Sequence, residues 1–355
     1  MKWKGLCLGF QRYCLPQCRL FHYYLDSVKP GTLLVNSPID IHISPVVFNP
    51  QQTSFKSQIK LVSNELDSSA IRSYSSALDV SLKEEAENEL SVSVPSELCQ
   101  HALSLHVTIP HHYSVVAHGA GRCSLSISKL ECDSAKLKLE EGNCELINMK
   151  VLDADINLKN GNLTFSNGFV GDVKALIDNG NLIADKLQGQ NLAMRVMEGN
   201  VDIKSLYSRS CEIVSKMGDI NIANCHGSTT VVADTGNVNI NSADGELYAH
   251  AVKGDLNVHL AEYSSVELLA PSGSVAVSVS ETAAGPVEMK TQNLDVDDSL
   301  ILDLQSDDKS LIKGTLGSVH QVSSNSIKLE AHSTRLTMMD WITAQRMIFL
   351  EHPTR

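Results

Sequence analysis

Through the middle of this chain, apolar and polar residues alternate with period two, and a glycine restarts the alternation every 18 or 19 residues. The glycines are Gly142, Gly161, Gly180, Gly199, Gly218, Gly236, Gly254 and Gly273. Two residues after each stand Cys144, Leu163, Leu182, Val201, Ile220, Val238, Leu256 and Val275. Four after stand Leu146, Phe165, Ala184, Ile203, Ile222, Ile240, Val258 and Val277, and Leu125 and Ile127 fit the same frame without the glycine. Every one of these positions is apolar in a chain that is 43% apolar, so the pattern is built rather than accidental. The residue between them is polar in most units: Ser126, Glu145, Thr164, Asp202, Asn221, Asn239 and Asn257, with Ile183 and Ala276 as exceptions. Such alternation predicts a strand with one face buried.

A second alternating run follows in each unit, as in Ala154, Ile156 and Leu158, or Val173, Ala175 and Ile177. Glycines at Gly171, Gly189, Gly227 and Gly245 fall between the two runs. Units of this length cannot bury an apolar face alone and must stack. The prediction is an all-β, single-stranded β-solenoid over 104–290, with coils of two short strands and two turns, rising about 4.8 Å per coil. Asn143, Asn162, Asn181, Asn200, Asp219, Asn237 and Asp255 follow the glycines in register, and should bond backbone groups and one another up the stack.

The flanks differ. Residues 30–103 contain alternating runs, such as Ile39-Asp40-Ile41-His42-Ile43, outside the 19-residue frame. They predict an irregular β-rich cap, because solenoid ends expose strand edges that need covering. Residues 291–355 read as a carboxy-terminal cap or tail, with an amphipathic helix expected from Asp340 to Leu350. Residues 1–29 are basic: Lys2, Lys4, Arg12 and Arg19 precede the first acidic residue, Asp26, with apolar residues at intervals. This is the composition of a mitochondrial transit peptide, although Pro16 interrupts any helix there. Mitochondrial placement is expected, with the cytoplasm as the alternative.

Net charge narrows the partners. A formal charge of −12, with no basic cluster in the repeats, argues against nucleic acid. No run of apolar residues is long enough for a transmembrane helix. Nine cysteines, an odd number without paired C-x-x-C motifs, read as small buried hydrophobes rather than a disulfide framework.

The run Leu105-His106-Val107-Thr108-Ile109-Pro110, followed by the Gly-Asp/Asn-apolar-x-apolar repeat, resembles the putative-adhesin domain of unknown function found in bacterial proteins. The whole chain, with its basic start and nine cysteines, also resembles a vertebrate family, family with sequence similarity 185. The likeness implies the solenoid architecture. It carries no catalytic, metal or cofactor residue to transfer.

Candidate chemistry is sparse. Asp153 and Asp172 lie one period apart and should stack about 5 Å apart, the separation used by retaining glycosidases. Their column continues as Ser134, Asn191 and Ser210, which reads as a polar turn column. His101, His106, His111, His112 and His118 crowd one segment, but read as a solvated strand face and turn rather than a metal site. The nonapeptides of calcium-binding repeats, a phosphate-binding loop and a nucleophile motif are absent. The sequon Asn162-Leu163-Thr164 falls inside the asparagine column. The expected function is a non-enzymatic binding or scaffold module, a rod docking a protein partner, with no cofactor and no catalytic or metal residues. A carbohydrate-binding, adhesin-like module is the alternative, and a β-helical carbohydrate-active enzyme the third reading. The scarcity of aromatic residues, 5% of the chain, weighs against sugar-stacking platforms and so favours the scaffold.

Overall fold

The computed structural model describes residues 20–26, 31–46, 56–83, 88–298, 300–308, 311–317 and 325–339. The amino-terminal part holds β1 (Leu20–Asp26), β2 (Gly31–Ser37), β3 (Asp40–Pro45), β4 (Lys56–Val62) and helix α1 (Ser68–Ala77). Then come β5 (Asp79–Lys83), β6 (Asn88–Ser93), β7 (Ser104–Ile109), β8 (Ser114–Arg122), β9 (Leu125–Ser128) and β10 (Glu131–Glu141). The repeat supplies β11 (Cys144–Asn160), β12 (Leu163–Asn179), β13 (Leu182–Glu198), β14 (Val201–Met217), β15 (Ile220–Thr235), β16 (Val238–Lys253) and β17 (Leu256–Val279). Last are β18 (Gly285–Val296), β19 (Leu302–Asp308), β20 (Leu311–Leu316) and β21 (Ser326–Met338).

The chain is a β-solenoid, as its repeat predicts. Strands β11 to β17 lie parallel, each on the next, with Cys144, Leu163, Leu182, Val201, Ile220, Val238 and Leu256 in one register column. The two short strands expected per coil are joined through the half-way corner into one bent strand of 16 or 17 residues from β11 to β16. All eighteen column positions named above are buried to 2% exposure or less. The second run is buried in the same way, with Ala154, Ile156, Leu158, Ala175 and Ile177 in the core. Period-two alternation thus gives each coil an apolar lining, and stacking gives one continuous core.

The glycines are demanded by close approach. Gly161 has φ +146°, and a Cβ there would sit 1.9 Å from the carbonyl oxygen of Gly142 one rung below. Beside them runs the asparagine ladder, in which each side-chain oxygen accepts from the backbone N–H of the next rung. Asn162 N donates to Asn143 Oδ1 (2.9 Å), Asn181 N to Asn162 Oδ1 (2.8 Å) and Asn200 N to Asn181 Oδ1 (2.8 Å). Asp219, Asn237, Asp255 and Ser274 continue it upward.

The stack does not stop where the contiguous 19-residue frame stops. Below β8 and β9 lies a regular rung made by β2 and β3, which pair with them in parallel. Beneath that rung lie β6 and β7, which come later in the chain. So β2–β3 is inserted between two rungs that are nearly adjacent in sequence. The ladder confirms its register, because Ser124 N donates to Asp40 Oδ1 at 2.8 Å. The other end repeats the device. β21 lies parallel between β17 and β18, so a segment expected in the tail forms a rung inside the stack. Beyond these rungs, pairing turns antiparallel: β5 on β6, β4 on β7 and β1 on β4 at one end, β20 on β18 and β19 on β20 at the other. Antiparallel closure ends the solenoid's own pattern and blunts its edges. The helix expected over 340–350 lies outside the described residues.

Candidate functional site

One outward column of the first sheet face runs through eleven successive strands, from β4 to β17. Strand pairing orders it as Lys60, His106, His42, Ser126, Glu145, Thr164, Ile183, Asp202, Asn221, Asn239 and Asn257. Its upper half lines an open groove of about 620 Å³. Lys204, Ala223 and Asn241, on the same strands, form the groove's other side. Ile183 is 40% exposed and Ala223 is small, so part of the groove surface is apolar.

The groove amides are held in a chain. Asn239 Nδ2 donates to Asn221 Oδ1 (2.9 Å), and Asn221 Nδ2 donates to Asp202 Oδ1 (2.8 Å). A primary amide has two donors and two acceptor lone pairs, and this chain uses one of each on Asn221. The remaining capacity is oriented and repeats once per rung. The groove's lysine is already paired: Lys204 Nζ lies 2.8 Å from Asp185 Oδ1. That hydrogen bond, opposed by burial and aided by the backbone N–H of Asn167, holds the Asp185 carboxyl below the usual range. At the nearby corner, Tyr207 and His226 stack in parallel with ring centroids 4.6 Å apart. Lys186 Nζ sits 5.1 Å from the Tyr207 centroid, and His226 Nδ1 lies 3.0 Å from Asp244 Oδ2.

The carboxylate pair considered for catalysis is where the period places it, with Asp153 and Asp172 in register on adjacent rungs. Asp172 is committed to the turn above. It accepts from Gln190 N (2.8 Å), Asn191 N (2.9 Å) and Asn191 Nδ2 (2.9 Å). Burial pushes its pKa up, but the bonds from Asn191 and Gln190 outweigh this and keep it below the ordinary aspartate value. Such an aspartate stays ionised and caps a turn, whereas a glycosidase acid needs a raised pKa.

The clustered histidines disperse. His101 stacks on Tyr74 at 4.6 Å, His118 lies 3.3 Å from Asn36 Oδ1, and His111 and His112 occupy the turn after Pro110. Among the described residues, only His106 meets a histidine on another strand, and that is His42, from outside the cluster. Cys123, Cys132, Cys144, Cys211 and Cys225 are buried, while Cys99 is exposed. Burial raises the thiol of Cys132 to about 11 and those of Cys123, Cys144 and Cys225 to about 12, so these are inert packing groups. Cys7, Cys14 and Cys18 lie outside the described residues. Asn162 of the sequon is a ladder rung. No helix among the described residues is long and apolar enough to cross a membrane.

The sequence frame identifies Asp202, Asn221, Asn239 and Asn257 as outward polar positions without marking them as a groove. The available signal is the run of three asparagines in one column, a ladder like the one beside the glycines.

Among solved structures, the chain is similar to a putative adhesin from Parabacteroides distasonis, at 12% identity and TM-score 0.43, covering 69% of this chain and 98% of that one. It is also similar to a putative lipid binding protein from the same organism, at 11% identity and TM-score 0.38, covering 67% and 96%. A putative adhesin from Parabacteroides merdae matches at 14% identity and TM-score 0.32, covering 67% and 95%. No curated protein sequence matches. The family model described as Toastrack DUF4097 matches residues 39–206 and again 168–333, beginning on the rung that β3 inserts and ending within β21. With its repeat, its stacked rungs and these two overlapping matches, the chain belongs to the Toastrack DUF4097 family.

Proposed function

We propose that this chain is a non-enzymatic binding module of the adhesin type, which holds a neutral, hydroxyl-rich ligand of the glycan class along the groove from Ile183 to Asn257. The observation that carries the reading is the amide chain Asp202–Asn221–Asn239, a fixed array of donors and acceptors over a partly apolar surface. Hydroxyl groups both donate and accept, and so match unused amide capacity one rung at a time. With Lys204 neutralised by Asp185, the Asp202 carboxylate leaves the groove slightly negative, which favours an uncharged ligand over an acidic one. The scaffold reading, a flat rod docking a protein, gives way here because the face is concave and ordered. The names of the similar structures, putative adhesins and a putative lipid binding protein, do not carry this function.

The test is titration of the full chain with neutral oligosaccharides, followed by amide NMR. Saturable shifts at Asn221, Asn239 and Asn257 are expected, and Asn239→Leu should weaken binding about tenfold, the worth of one hydrogen bond. A panel that leaves these resonances unmoved returns the module to the protein-docking scaffold.

Import into mitochondria is a separate proposal and rests on composition alone. Most of the basic segment lies outside the described residues, but β1 pairs with β4 through Leu20–Asp26. Processing compatible with that pairing falls before Leu20. Sequencing the amino terminus of the mature protein decides it, and an intact Met1 in a cytosolic pool rejects it. The likeness of the whole chain to family with sequence similarity 185 belongs to the same proposal, since the basic start and the cysteines carry it.

A further inference from the structure

The lower end of the outward column is built differently from the groove. Three basic side chains occupy consecutive strands: Lys60 on β4, His106 on β7 and His42 on β3. The imidazoles of His42 and His106 lie 4.6 Å apart, centroid to centroid, tilted by 39°. His106 Nε2 is 3.1 Å from Ser104 Oγ. The adjoining outward positions are polar and mostly hydroxylated: Gln58 on β4, Ser104 and Thr108 on β7, Ser44 on β3, and Ser126 and Ser128 on β9. The charged and titratable groups near this face include Asp40, two residues before His42, and Glu145, one rung above Ser126; Arg122 and His101 line a pocket with Asp40 and Ser104, and His22 of β1 takes the next register position beyond Lys60. Asp40 is already engaged, accepting from Ser124 N at 2.8 Å.

Three potential cations in succession, with no carboxylate between them, are unusual in a chain whose formal charge is −12. Like charges directly opposite on paired strands repel. An arrangement of this kind is stabilised when an anion lies across it.

We propose that Lys60, His106 and His42 form a subsite for a tetrahedral oxyanion, sulfate or phosphate, free or as an ester. Lys60 brings a permanent positive charge, and the two imidazoles donate N–H groups when protonated. Hydroxyls such as Ser104 supply further donors at the rim. Burial, His42 and Lys60 together push His106 below the ordinary histidine range, so it is neutral at neutral pH without a ligand. An anion reverses the repulsion from His42 and Lys60 and favours the protonated ring. Oxyanion affinity therefore rises as pH falls. The site lies four rungs from the groove, roughly 20 Å at the sheet spacing, and does not depend on what the groove binds.

Sulfate is the appropriate probe, because it keeps its charge across the histidine range whereas phosphate titrates there. The full chain is titrated with sodium sulfate at about pH 5.5 and about pH 7.5, with histidine side-chain NMR as the readout. Saturable shifts of the His42 and His106 ring protons are expected, with affinity at least about tenfold weaker at the higher pH, because an ordinary histidine loses about that much of its protonated fraction and one held lower loses more. Lys60→Gln and His106→Gln should each weaken binding, and circular dichroism should show both folded. Lys60 faces outward and is only half-buried, which makes its variant safe for the fold if His106→Gln is not. A sulfated disaccharide forms the second arm: tighter binding than sulfate assigns an ester, equal binding a free ion, and both support the site. Shifts that do not saturate, that ignore pH, or that survive unchanged in Lys60→Gln overturn it.

Discussion

The middle and the ends of this solenoid are made of similar rungs, assembled by different rules. From β11 to β17 each coil lies on the coil before it in the chain, so the rung-to-rung contacts span only 17 to 20 residues. At the ends, β2–β3 and β21 enter rungs between partners on either side of them, and their contacts span much longer stretches. The middle is a nearest-neighbour stack in which any break divides the core. The ends are clasps, each closing a long loop at an entropic cost that grows slowly with its length. Each sits beside antiparallel strands that stop further stacking. The difference also separates the two ligand sites. The groove lies on contiguous rungs and inherits their regularity, while the Lys60–His106–His42 row exists only because β3 was inserted beside β7.

The sharpest way to break the comparison is to place a buried charge in each region. Ile222 is 1% exposed in the middle of the stack, and Ile222→Asp should cost on the order of 5 kcal/mol or more and abolish cooperative folding. Leu329, 2% exposed on β21, carries a similar local penalty, but Leu329→Asp should release only the carboxy-terminal rungs. Hydrogen exchange would then show fast amides from about residue 285 onward and retained protection from β11 to β15. Equal loss of protection in both variants would make the ends and the middle one cooperative unit.

A smaller effect separates close approach from backbone conformation alone. Gly180 has φ +145°, and its Cβ would lie 2.0 Å from Gly161 O, whereas Gly168 has φ +93° with nothing within 4 Å. Gly180→Ala should destabilise by about 3 kcal/mol or more, since neighbouring backbone must move. Gly168→Ala should cost about 1–2 kcal/mol. Denaturant midpoints of the two variants check the order.

The smallest expected effect tests the ladder. Asn181→Ala removes the acceptor for Asn200 N and should cost about 1 kcal/mol. Asn181→Asp should be nearly neutral, because Asp219 and Asp255 already fill that role for Asn237 and Ser274. A large loss in the aspartate variant would show that the ladder depends on amide neutrality rather than on an acceptor oxygen.

Much of the architecture was legible because it is local and periodic. Leu163 and Phe165 announce an inward face by alternation, Gly161 announces a turn, and Asn162 announces a rung bond, each without reference to distant residues. Asp40 shows the limit. It is a ladder residue like Asn143, yet its partner Ser124 is 84 residues away, and no fixed period connects them. The histidines show it again. The crowding of His101 to His118 suggested a local cluster, while the pair that actually meets, His42 and His106, comes from two rungs joined by insertion. Asn221 and Asn239 were placed correctly on the outside, but a groove is a property of the surface around them, and alternation reports only inside or outside.

What the sequence determined by itself is therefore the coil: its length, its buried positions, its glycine turns and its capping asparagines. A repeated short-range pattern has only one way to bury its apolar residues and bond its backbone, which is to stack on itself. The tertiary structure decided which segments close the two ends and which side chains become neighbours there. Those pairings join strands far apart in the chain, and they are selected by the edges left unpaired when the regular stack runs out.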